Sequence, residues 1–80
     1  MTQREEIKEA IHATAKKLTK ESGYRVWFAD LEVELCEDKI KLITTSPFKI
    51  NVISVFEQEF TQAAESILGY TPDIEYKSIE

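Results

Sequence analysis

The chain is poor in the residues that most catalytic and metal-binding sites require. Its 80 residues include one cysteine, Cys36, one histidine, His12, two glycines, Gly23 and Gly69, and two prolines, Pro47 and Pro72. A single cysteine forms no internal disulfide and fits a reducing, cytoplasmic compartment. Neither two-cysteine zinc ligation nor a glycine-rich phosphate loop can be assembled from this inventory. His12 lies on the flank of the first predicted helix and reads as a surface residue. Cys36 has no histidine placed to activate it. The acidic pairs Glu5-Glu6 and Glu37-Asp38 suit a helix start and a turn before they suit acid–base chemistry. The expectation is therefore a non-enzyme without cofactor or metal. Long apolar runs are missing too: none approaches the ~20 residues of a membrane span. Met1 is followed by TQREE, which does not read as a signal peptide.

Positive charge is in the minority. Ten Lys and Arg stand against 15 Asp and Glu, giving a net charge of −5. That balance disfavours tight, phosphate-driven nucleic-acid binding. With 42% hydrophobic and 31% charged residues, the composition suits one soluble globular domain spanning residues 1–80. A domain this small is only a few kcal/mol stable and can hardly spare core for a deep cavity.

The apolar spacing orders the chain. Thr2 followed by Glu5 is a capping-box pattern opening a helix from Gln3 to Thr19. Ile7, Ile11, Ala15 and Leu18 form its buried stripe, with Glu5 and Glu6 in its first turn and Lys16, Lys17 and Lys20 at its end. Ser22 and Gly23 break the pattern. Tyr24–Asp30 (YRVWFAD) then reads as a short second helix capped by Ser22, with a strand as the alternative, since Tyr, Val, Trp and Phe favour sheets. Val33–Thr45 reads as a hairpin. A two-residue turn at Glu37-Asp38 sets Leu35 against Ile40 and Val33 against Leu42 on one face, with Glu34 facing Lys41 on the other. Glu-Asp is a poor turn, so a longer loop stays open. Ser46 and Pro47 start a third helix running to about Leu68, with Gly69 capping its end. After Pro72, Ile74 and Tyr76 mark a third strand. The fold class expected is α+β, in the order α-α-β-β-α-β, with helices on one face of a three-stranded sheet.

The third helix carries two ridges. Ile53, Phe56, Phe60, Ala64 and Ile67 make a continuous core stripe. Phe48, Val52 and Val55 make a second ridge over the first two turns only. Packing against the shorter helices accounts for Val52. Phe48 is less easily absorbed, because a large ring in the first turn lies at the domain's edge, where exposed aromatics anchor partners.

Tyr24–Phe56, YRVWFADLEVELCEDKIKLITTSPFKINVISVF, resembles the N-terminal domain of the bacterial replication initiator DnaA. The matching features are an aromatic before Trp27, Leu31 four residues on, the L…D…I.L hairpin, and a short loop ending in Phe48 at a long helix. The likeness extends over nearly the whole chain, and the family's fold is similar to the KH domain. The resemblance implies a protein-docking module of replication initiation. Its partners would be the replicative helicase or its loader, replication regulators and other initiator molecules, making a homo-oligomer one implied state. By the same resemblance Phe48 is the partner-binding aromatic, with Tyr24, Lys49 and Val52 beside it; Trp27 also matches a position typical of the family but reads as core rather than contact. Two positions depart from the family pattern. Lys8 lies near the place of a first-helix Trp that supports self-association in many relatives, and Gly23 replaces an acidic contact residue of some. The ATPase and DNA-binding parts of a full initiator are not in these residues, so an excised domain or a small stand-alone relative is expected. The rival reading, a KH-like single-stranded nucleic-acid binder, needs a GXXG loop that Gly23 and Gly69 cannot form. Nucleic-acid binding is therefore weak at most.

Overall fold

The computed structural model describes residues 2–79; Met1, on which the leader reading rests, and Glu80 lie outside them. The fold is α+β. Helix α1 (Gln3–Trp27) precedes the hairpin β1 (Glu32–Cys36) and β2 (Lys39–Thr44), followed by α2 (Pro47–Val55), α3 (Glu57–Leu68) and β3 (Asp73–Ser78). The sheet order is β1-β2-β3, with β1 antiparallel and β3 parallel to β2. A parallel pairing needs a crossover, which α2 and α3 together supply.

The hairpin takes the expected register, Val33 against Leu42, Leu35 against Ile40 and Glu34 against Lys41. Its turn has two residues, of which Glu37 alone takes a positive φ, 56°. The positive φ falls at the first central position, as in a type II′ turn. Two outside bonds steady it: the Tyr70 hydroxyl donates to the Glu37 carbonyl and the Asp73 amide to that of Asp38. Ile74 and Tyr76 continue the inner face by pairing with Ile40 and Leu42. Beneath them lies one core, including Ile7, Ile11, Ala15, Phe28, Ile53, Phe60 and Ala64. The opposite face is mostly charged, and its apolar exception, Ile43, is nonetheless buried.

Thr2 caps α1 through Glu5 N–H, Ser46 caps α2 through Phe48 N–H with Pro47 in the first turn, and Gly69 ends α3 at φ 81°. Four details differ from the sequence expectation. The two predicted N-terminal helices form one kinked element, and the break falls at Lys20 (φ 63°, ψ 177°), ahead of Ser22, which therefore sits inside the second segment and not at its cap. That segment ends at Trp27, and residues 28–30 are a turn. Gly23 serves a close approach: a Cβ there would lie 2.9 Å from Thr19 Cβ, whose side chain is held by a 2.7 Å bond to the Ala15 carbonyl. Leu18, assigned to the stripe, is exposed.

The fourth difference is that the long third helix is two helices, broken at Phe56 (φ −102°, ψ 16°). Val52, Ile53 and Val55 are β-branched and weak helix formers. Ser54 adds a hydroxyl bond to the Asn51 carbonyl, competing with the helical ladder. The break explains why the second ridge stops at Val55, while the core stripe of Ile53, Phe60 and Ala64 stays buried on both sides of it.

Two stability predictions follow from local conflicts. Lys20 occupies a backbone region almost reserved for glycine, costing about 1–3 kcal/mol. Lys20→Gly should add about 1 kcal/mol after glycine's greater chain entropy is subtracted, raising the melting midpoint by about 4–8 °C. Lys20→Ala, which keeps the conflict, should give no gain; equal midpoints for the two variants would refute the strain. In β2, the Thr44 hydroxyl is buried and makes no hydrogen bond among the described residues. Burying such a group costs about 1–3 kcal/mol, so Thr44→Val should raise the urea midpoint, and a lower midpoint would show that the hydroxyl is satisfied.

Candidate protein-docking surface

Helix α2 buries one side and exposes the other. Ile53 is fully buried, whereas Phe48 is 77% and Val55 72% exposed. At 100° per residue, Phe48, Asn51, Val52 and Val55 fall within about a third of a turn of one another, opposite Ile53. Val52, at the edge of this arc, is half-buried. A shallow groove of about 130 Å³ runs beside Phe48, lined by Pro47, Phe48 and Asn51. The sole charge on α2, Lys49, is turned away into an ion pair.

That ion pair fixes the start of α2 to the rest of the fold. Lys49 Nζ lies 2.9 Å from Asp30 Oδ2, and the Thr45 hydroxyl donates to the same oxygen. Asp30 ends the turn after α1, so one carboxylate joins that turn to the loop leading into α2. The Thr45 hydrogen bond first, and Lys49 after it, hold the Asp30 carboxyl below its ordinary pKa against partial burial. Lys49, expected as a contact residue, is ion-paired within the chain at the start of α2.

Tyr24 lies elsewhere. Its hydroxyl is 2.6 Å from His12 Nδ1, its ring meets the His12 ring edge-on, and Lys16 Nζ lies 5.9 Å above it. It lines a separate groove with Glu5, Lys8, Glu9 and His12. The structure therefore brings Phe48, Lys49 and Val52 together on α2, but Tyr24 lines neither their groove nor their face.

His12 corrects the surface reading. Half-buried, it bonds at both ring nitrogens, to Tyr24 and, at 2.9 Å, to the Leu31 carbonyl. A carbonyl only accepts, so Nε2 carries the proton, and Nδ1 of the neutral ring accepts from the Tyr24 hydroxyl. The ring thereby ties the first segment of α1 to its second segment and to the entry of β1. Sequence reasoning missed it because its partners are 12 and 19 residues away. Val55 was legible as part of the second ridge but not as a site residue; its spacing of seven from Phe48 was the available signal.

Cys36 is exposed at the hairpin, opposite Lys39. Among the described residues no group of His, Cys, Asp or Glu is arranged to hold a metal ion, and no helix is long and apolar enough to cross a membrane. No protein-family model, curated protein or solved structure matches the chain.

Burial is the main influence lowering the His12 pKa from 6.5; the Leu31 bond opposes it and Lys8 adds to it. A base whose folded pKa is depressed contributes stability above its unfolded pKa, and loses it as pH falls through the folded value. The urea midpoint should therefore fall as pH drops below about 6.5, and His12→Gln should flatten that slope. An imidazole NMR titration centred above 6.5 would contradict the assignment.

Proposed function

We propose that the chain is a protein–protein interaction module of bacterial replication initiation, docking the replicative helicase, its loader or a regulator through the outward face of α2. The observation that carries the reading is the exposure of Phe48 in the first turn of an uncharged helix face, on a chain with 25 charged residues, 10 basic and 15 acidic. The resemblance to the DnaA N-terminal domain supports it, and the element order is the one that resemblance implies. A ring held at the rim by a capped helix start and an ion-paired neighbour is pre-organised, so docking would order few further groups. Aromatic anchors of this kind dominate interface energies. With Phe48 carrying the contact and Val52 and Val55 widening it, Lys49 becomes a positioning residue, and Tyr24 drops to the margin.

Phe48→Ala should weaken binding of the purified helicase or loader by about tenfold or more, while the thermal melt stays unchanged because the ring supports little of the core. Unchanged binding by calorimetry sinks the proposal, and so does a melt that collapses. Affinity confined to single-stranded oligonucleotides and falling steeply with salt would move the chain to the nucleic-acid class.

A further inference from the structure

We propose that the chain has a small-molecule site apart from α2: a cavity at the carboxyl ends of β2 and β3 that binds a free α-amino acid with a branched apolar side chain, as its zwitterion. The inference does not rest on the reading of α2 as a docking surface.

The cavity measures about 440 Å³, toward the lower end of the range for small-ligand sites. Three parts of the chain wall it. Lys8 and His12 come from α1, Asp30, Leu31 and Glu32 from the turn after α1 and the start of β1, and Ile43, Thr44, Thr45 and Ile79 from the ends of the parallel strands. The Ile79 amide donates to the Thr44 carbonyl at 3.1 Å, which fixes the residue after β3 against the end of β2.

Among the described residues, half of the polar side chains in that wall are committed within the chain. His12 bonds at both ring nitrogens. Asp30 takes both Thr45 and Lys49 on one carboxylate oxygen. Lys8, Glu32 and Thr44 remain. Lys8 and Glu32 are exposed, and among the described residues neither forms an ion pair, with the other or with a third group. Thr44 is buried, and its hydroxyl makes no hydrogen bond among the described residues. The uncommitted set is one ammonium, one carboxylate and one hydroxyl.

That set selects a class of ligand. Opposite charges that share a cavity wall without pairing suit a molecule that carries both signs on neighbouring atoms. Its carboxylate would take Lys8 and its ammonium Glu32, as charge-assisted hydrogen bonds. A simple anion would meet Glu32 and a simple cation Lys8, and the like-charge cost in either case is one that a zwitterion avoids. The Thr44 hydroxyl both donates and accepts, so it serves either end of the ligand. Rotation about its χ1, between staggered wells, is the motion that presents it. Leu31, Ile43 and Ile79 supply the apolar part of the wall, and an aliphatic side chain laid on them leaves water. An internal residue of a peptide has neither the free ammonium nor the free carboxylate, so the class is the free amino acid.

Leucine is the probe, titrated into the full chain near neutral pH while backbone amide shifts are followed by NMR. Saturable shifts at the cavity residues are expected, with a dissociation constant of roughly 0.1–1 mM. On the wild type, 4-methylpentanoate, which lacks the ammonium, and 3-methylbutylamine, which lacks the carboxylate, should each bind at least tenfold more weakly. Lys8→Met and Glu32→Gln alter exposed side chains and should leave the melt unchanged, yet each should weaken leucine tenfold or more. Lys8→Met should also bind leucine no better than 3-methylbutylamine, and Glu32→Gln no better than 4-methylpentanoate, because each variant removes the partner that the analogue lacks. Thr44→Val should weaken leucine several-fold while raising the urea midpoint of the free chain, a binding group kept at the expense of stability. The proposal is overturned by the absence of saturable shifts up to about 10 mM leucine. Equal affinity for leucine and both analogues would overturn it too, as would charge variants that bind leucine as the wild type does.

Discussion

The arrangement depends on the burial of Phe28. Its ring has no exposed surface and lies 6.2 Å from the Phe56 ring and 5.9 Å, edge-on, from that of Phe60. Phe28 follows the second segment of α1, Phe56 is the break between α2 and α3, and Phe60 is one turn into α3. Two junctions of the chain and the first turn of α3 thus meet in one aromatic cluster. Each buried ring contributes about 1.5–3 kcal/mol, with about 0.5–1.5 kcal/mol more for a well-placed aromatic pair. In a domain whose net stability is only a few kcal/mol, that is enough to decide where the helices break. With Phe56 drawn toward Phe28, a straight helix from Pro47 to Leu68 is not formed, and α2 takes its own direction.

The exposed face of α2 is a consequence of that break. Once α2 is separate, Ile53 and the Asp30–Thr45–Lys49 cluster anchor it, and its far side has no folding duty. Phe48 and Val55 are left standing in solvent. Burying such side chains would stabilise an 80-residue domain by about 1.5–3 kcal/mol each, so leaving both exposed in a small fold favours an external use. The clamp also fixes the stretch of backbone that carries the exposed ring. A capped first turn and an ion-paired neighbour hold its backbone on both sides.

Much of this was legible in the sequence where the signal is local and periodic. The hairpin register followed from strict alternation, because a one-residue slip would send Val33, Leu35, Ile40 and Leu42 to the wrong face. The caps at Thr2, Ser46 and Gly69 were readable from side-chain chemistry alone. Phe48 stood out because its size conflicts with its place at a helix start. What stayed hidden was decided by distant contacts. Ser22-Gly23 looked like a break, yet Gly23 is needed for the approach to Thr19, and the turn is made by Lys20, a residue with no sequence mark of positive φ. Phe56 continues the spacing of Ile53 and Phe60, so the break there is invisible to helical periodicity. His12 resembled any flanking residue until the kink brought Tyr24 over it. The kink also gives Tyr24 a groove of its own, apart from α2.

The separation of charge from the docking face has consequences for how such a module would work. The sheet's outer surface bears Glu32 and Glu34 on β1, Lys39 and Lys41 on β2, and Asp73, Glu75 and Lys77 on β3, with Lys39 3.7 Å from Glu75. Both members of that pair are half-exposed, so the contact adds little stability; its use is to keep that surface in water. The α2 face, lacking charge, offers no electrostatic steering, and encounters there would proceed at the slower rate of neutral surfaces, about 10⁵–10⁶ M⁻¹s⁻¹. Selectivity would then come from the shape around one ring and from the chain's net charge of −5, which turns away acidic partners without attracting any particular one. A face built this way would exchange occupants readily, because a short apolar contact with no buried ion pair to break would hold each of them.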